Sequence, residues 1–133
     1  MPESPSFTLH KEERIFRKKL IQRLFEGRAG HALSAYPLRV TYRTEPVEED
    51  GVLLRMLVSV PKRHLKHAVA RNRVKRQVRE AFRKNKQIVL TPLAGHPETA
   101  VNIAFIWTSD RQFPSPVVEE KVANLMRRIG ERL

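Results

Sequence analysis

The chain has 133 residues, 41% hydrophobic and 30% charged, with 26 Lys and Arg against 14 Asp and Glu for a net charge of +12 at pH 7. That length and apolar content fit one domain with its own core and exclude wholesale disorder. The lack of cysteine excludes a disulfide framework, a thiolate zinc site and a cysteine nucleophile.

No apolar run approaches a membrane span, and the first residues lack the apolar core of a signal peptide. The sequence therefore reads as a cytoplasmic protein with no membrane partner. Residues 1–8, with Pro2, Ser4, Pro5 and Ser6, read as a flexible tail, and residues 9–133 as a single domain.

Over residues 9–26, LHKEERIFRKKLIQRLFE places Glu12 and Glu13 early and cations later, which suits a helix dipole. Ile15, Phe16, Leu20, Ile21, Leu24 and Phe25 give that helix a broad apolar face to set against a sheet, and Gly27 or Gly30 ends it. From Pro37, PLRVTYR alternates Leu38, Val40 and Tyr42 with Arg39, Thr41 and Arg43, the pattern of a strand with one face inward. In VLLRMLVSV, Leu54, Met56, Val58 and Val60 recur at every second residue. The acidic turn EPVEEDG between these strands predicts an antiparallel hairpin. Its acids Glu45, Glu48, Glu49 and Asp50 form a cluster able to hold a hydrated cation weakly, but solubilising a turn is the simpler role.

Residues 61–87 hold eleven Lys and Arg against one acid, Glu80. Such concentration costs self-repulsion that a polyanionic partner offsets by counterion release. With no Pro or Gly from Lys62 to Lys86, the composition predicts a helix over 68–85. At roughly 100° per residue, Val74, Val78, Ala81 and Phe82 share one face, while Asn72, Lys75, Arg76, Arg79 and Arg83 fall within an arc of about 100° elsewhere. Glu80 falls outside that arc, which argues against a salt-bridged surface. Arg71, Asn72 and Arg73 add two forked guanidiniums and a neutral amide at the helix entrance, groups suited to phosphates, base edges and 2′-hydroxyls.

Beyond the basic helix, TPLAGHPET from Thr91 reads as a loop and AVNIAFIWTS as a strongly apolar strand, central in its sheet. Ser115, Pro116, Glu119 and Glu120 mark the start of a last helix, with Val118, Val122, Leu125, Met126, Ile129 and Leu133 as its buried stripe. The result is an α+β fold, helices layered on a small sheet.

No catalytic constellation emerges. His10, His31, His64, His67 and His96 are scattered, and no Walker loop, Gly-x-Ser-x-Gly or His-Glu-x-x-His motif occurs. Among the aromatic residues, Tyr42 is the best candidate for a half-wet stacking site, because its hydroxyl tolerates water.

The run AVARNRVKRQVREAFR, from Ala68 to Arg83, resembles the bacterial ribonuclease P protein component, and LFEG, PLRVTY and VSVPKR lie in that family's order. The resemblance implies a single-domain fold with a small, mostly antiparallel sheet packed by helices and a left-handed crossover carrying the basic helix between parallel neighbouring strands. It implies a subunit of a ribonucleoprotein that removes the 5′ leader of precursor tRNA, with the RNA subunit holding the active site and its Mg2+. The expected partners are the catalytic RNA and precursor tRNA, with no cofactor on the protein and no obligate protein partner. Arg71, Asn72, Arg73, Lys75, Arg76, Arg79 and Arg83 are the expected RNA contacts. Phe25 and Tyr42 match the leader cleft, and Ile21 stands where many relatives carry a cleft Phe. A general RNA-binding or ribosome-associated module is the alternative. A DNA-binding helix ranks last, since no dimer seam or helix-turn-helix signal is present.

Overall fold

The computed structural model describes residues 30–133. The expected tail, the helix over 9–26, and Ile21 and Phe25 lie outside the described residues. The elements, in order, are β1 (His31–Ala35), β2 (Leu38–Pro46), β3 (Leu54–Ser59), α1 (Ala68–Asn85), α2 (Gln87–Leu93), β4 (Thr99–Trp107) and α3 (Ser115–Glu131).

The most apolar strand takes the middle of the sheet, whose order is β1-β2-β4-β3. In β4, Val101, Ile103, Phe105 and Trp107 are fully buried on the face shared with Leu38, Val40 and Tyr42 of β2. Ala100, Asn102 and Ala104 are buried on the other, so β4 is covered on both faces, as an inner strand must be. Asn102 is satisfied in part by Glu45 of β2, whose Oε2 accepts from Nδ2 at 3.2 Å.

β2 and β3 do not form the expected hairpin. Although the two strands run antiparallel, β4 inserts between them, antiparallel to β2 and parallel to β3. The acidic segment therefore spans one intervening strand. Its bend is set by Gly51 at φ +71°, by Gly51 N–H donating to Glu48 O at 3.0 Å, and by Val52 N–H donating to Asp50 Oδ1 at 3.1 Å. Asp50 also pairs with Arg55, a strand residue only 5% exposed, so this carboxylate is committed to a structural task. The actual hairpin joins β1 to β2, registered from His31↔Tyr42 to Ala35↔Leu38 around Tyr36 and Pro37. Its first strand, HALSA, is short and has one buried residue, Leu33, too little alternation to read from sequence.

α1 matches its expected span, and α1 and α2 together connect the parallel neighbours β3 and β4. The expected loop from Thr91 is a correction, because α2 runs through Thr91 and Pro92 to Leu93. Burial of Val89 and Leu93 outweighs the poor helix propensity of Pro. Pro92 falls in the last turn, where it removes only the N–H that would face Ile88 O. Opposite that carbonyl stands Gly130 of α3, where an added Cβ would lie 3.0 Å from Ile88 O, so glycine permits the close approach of α2 and α3.

The helices bury one layer of side chains against the sheet. Val74, Val78 and Phe82 of α1 and Val118, Val122, Leu125, Met126 and Ile129 of α3 are fully buried in one cluster with β2, β3 and β4. Val78→Asp places a carboxylate at the centre of this cluster. It is expected to cost about 3 kcal/mol or more of folding stability, measured by chemical denaturation.

Candidate nucleic-acid interface

α1 begins after His67, which supplies no side-chain cap, and its first turn contains no acid. The helix is held from below by its apolar stripe, where Val74, Val78 and Phe82 are 0% exposed and Ala81 3%. Phe82 meets Phe105 of β4 edge to face, with centroids 6.2 Å apart. That fixes which residues point outward: Asn72, Arg73 and Arg76 are exposed, and Lys75, Arg79 and Arg83 are half-buried along their stems.

The expected contacts fall into distinct groups. Asn72 and Arg76 share the open face with half-buried Lys75 at its edge, and among the described residues no carboxylate is paired with Lys75 or Arg76. Arg73 donates from Nη1 to Gln112 Oε1 at 2.9 Å, which steadies its guanidinium beside the loop before α3. Arg71 turns the other way: its Nη1 donates to the carbonyls of Leu65 at 2.9 Å and Lys66 at 2.7 Å. Arg71 lies only about 20° from Val78 around the helix, at roughly 100° per residue, and in the first turn, within reach of the carbonyls that precede the helix. It ties the entry loop to the helix and lies apart from the open face.

Glu80 also departs from expectation. Arg83 Nε donates to Glu80 Oε2 at 3.1 Å, and a second donor, Nη2, reaches Oε1. At i, i+3 the two residues are only about 60° apart, so an acid outside the basic arc still touches its edge. The hydrogen bond from Arg83 holds the Glu80 carboxyl below the usual carboxylate range, and Glu80 in return raises the Arg83 guanidinium. Lys86 is another cation removed from the surface, 3% exposed at the junction of α1 and α2.

Tyr42, the expected half-wet aromatic, is 2% exposed. It shares the core face of β2 with Leu38 and Val40, and its ring lies against His31 with centroids 5.1 Å apart. The hydroxyl that suggested a wet site does not keep it in water; the strand alternation was the stronger signal.

Gln77 and Val69 were missed. Gln77 is only 9% exposed, and its Nε2 donates to Phe113 O and Ser115 Oγ, each at 3.0 Å, linking α1 to the start of α3. Its position three residues after Val74 and four before Ala81, on the apolar side, was the available clue. Beside it Arg73, Arg76, Glu80 and Ser115 complete a shallow cavity of about 230 Å³. Val69, 82% exposed, presents an apolar side chain at the entrance of the helix.

Arg83→Gln removes the donor that depresses Glu80. Since the folded pKa lies below the unfolded one, the pair stabilises above the ordinary carboxylate range, and its contribution fades as pH falls through the depressed value. A side-chain NMR titration is expected to place Glu80 below the ordinary carboxylate range, and Arg83→Gln to return it toward that range.

The sequence model of the ribonuclease P family matches residues 9–130. A ribonuclease P protein component of Porphyromonas gingivalis is 39% identical over 130 residues, covering 98% of this chain and 92% of that protein. One from Chlorobium phaeobacteroides is 32% identical, covering 92% and 88%. Among solved structures, the ribonuclease P protein of Thermotoga maritima superposes with a TM-score of 0.66 at 25% identity, covering 87% of this chain and 96% of that one. With a helix segregated as above and these matches along nearly its whole length, the chain belongs to the ribonuclease P protein family.

Proposed function

We propose that this protein serves ribonuclease P by binding its catalytic RNA along α1 and promoting removal of the 5′ leader from precursor tRNA. The carrying observation is the segregation of α1, with Val74, Val78, Ala81 and Phe82 locked in the core and Asn72, Arg73 and Arg76 exposed to solvent. A helix so fixed presents guanidiniums and an amide at set positions, so the ordering cost of binding falls on the RNA rather than on the protein. Phosphates supply most of the affinity and none of the sequence information, which suits a protein that follows RNA shape.

The chemistry is assigned to the RNA subunit. Among the described residues no three His, Asp or Glu side chains gather as metal ligands. Mg2+ is proposed to sit with the RNA subunit. Among the same residues no helix is long and apolar enough to cross a membrane, and a cytoplasmic particle is the proposed setting. The precursor leader, held through its backbone with weak sequence preference, is the proposed second ligand. Ile21 and Phe25 remain proposed cleft residues, whereas Tyr42, 2% exposed, is not proposed to contact the leader.

Reconstitution with the cognate catalytic RNA at low Mg2+ is expected to raise the rate of leader cleavage, and an unchanged rate would defeat the proposal. Arg76→Ala is expected to weaken RNA binding by about 1–3 kcal/mol at unchanged melting temperature. Arg71→Ala is instead expected to lower the melting temperature, since it orphans the ties to Leu65 and Lys66. If about five phosphates are neutralised, log affinity should fall with log salt at a slope of about −4. A flat response would exclude a phosphate-binding face.

A further inference from the structure

Tyr36 is 57% exposed and, with Val69, one of two large apolar side chains that the described residues leave in solvent. It sits in the turn between β1 and β2, yet its ring is held. The hydroxyl donates to Ser109 Oγ at 2.8 Å, and Ser109 is itself only 1% exposed. The same Oγ accepts the Arg111 backbone N–H at 3.1 Å, so one buried hydroxyl positions both residues. Tyr36 meets Phe113 edge to face, with centroids 6.0 Å apart and planes at 85°. Phe113 is backed by Trp107 at 5.8 Å, and the exposed Arg111 places its guanidinium 5.3 Å from the Phe113 centroid.

This corner is joined to the basic helix by its own loop. Gln112 accepts from Arg73, and the Phe113 carbonyl accepts from Gln77, so consecutive residues of one segment touch α1 and carry the aromatic cluster. The acid of that segment, Asp110, faces His64 at 2.8 Å. A lone exposed tyrosine would need no explanation. Here the ring is anchored through a buried hydroxyl, an arginine lies over the Phe113 ring that Tyr36 packs against, and the same segment contacts the cationic helix.

We propose that this corner is a stacking platform for one unpaired nucleobase of the RNA bound along α1, with Tyr36 supplying the ring and Arg111 the guanidinium for the adjoining phosphate. The platform rests on the RNA-binding reading above and extends it to a residue off the helix. Anchoring through Ser109 removes ring mobility before binding, the condition under which stacking contributes most. Selectivity for base identity is weak, because every base has a π-face.

The test measures affinity of the full chain for the catalytic RNA across a salt series. Tyr36→Ala is expected to weaken binding roughly 5- to 150-fold without changing the salt slope, since stacking releases no counterions. Tyr36→Leu, which keeps apolar bulk but has no π-face, is expected to weaken it likewise, and Tyr36→Phe to stay within about threefold of the parent. Arg111→Ala is expected to lower affinity and to reduce the salt slope by about 1. Parent-like binding by a folded Tyr36→Leu overturns the platform, as does equal loss in Tyr36→Phe, which would trace the effect to the Ser109 bond. Arg76→Ala separates the two levels. If it weakens binding while Tyr36→Leu does not, the platform falls and the helix reading stands; if neither weakens binding, both fall.

Discussion

Phe82 is fully buried with its ring edge against Phe105 of the central strand, and this contact fastens α1 to the sheet. Val74 and Val78 extend the seam along the helix, and Gln77 adds a polar tie to Phe113 and Ser115 at its side. A buried amide bonded to a backbone carbonyl and a hydroxyl is directional in a way that apolar packing is not. Together these contacts fix how far α1 can roll about its axis. The cationic surface is thus a property of the core: rotate the seam and the guanidiniums face elsewhere.

The charge on α1 is sorted more finely than its composition suggests. Asn72, Arg73 and Arg76 are outward and exposed, while Arg71 is folded back onto backbone carbonyls, Lys86 is buried, and Arg83 shares its charge with Glu80. The result is a short strip of cations near the start of the helix, flanked by cations with structural duties. Such a strip suits an RNA whose phosphates approach near the entrance of α1, where the uncapped N–H groups add positive potential.

Much of this was legible in the sequence because periodicity reports burial directly. The span of α1, the start of α3, the inner position of β4 and the buried stripes followed from spacing, except that Leu133 lies beyond the end of α3 and is only half-buried. Pairing was less accessible. Alternation in β2 and β3 shows that each has an inner face, yet it carries no information about which strand lies beside which, and β4 comes between them. The ties of Arg71 and Glu80 were missed for a related reason, because a long side chain reaches well beyond the arc its Cα occupies. Tyr42 erred in the opposite direction: its chemistry suggested water, while its register with Leu38 and Val40 placed it inside.

The insertion of β4 between β2 and β3 also bears on how the chain is made. As it leaves the ribosome, the β1–β2 hairpin can close at once, since its partners are adjacent in sequence. Among the described residues, β3 has no strand neighbour and Phe82 no Phe105 to meet until residues 99–107 are made. A nascent chain at that stage exposes a strand edge together with a dense positive charge, a combination open to mispairing and to indiscriminate capture by cellular polyanions. Synthesis of a single late strand therefore closes the sheet, and the cationic helix gains its final orientation once Phe113 and Ser115 follow and receive Gln77.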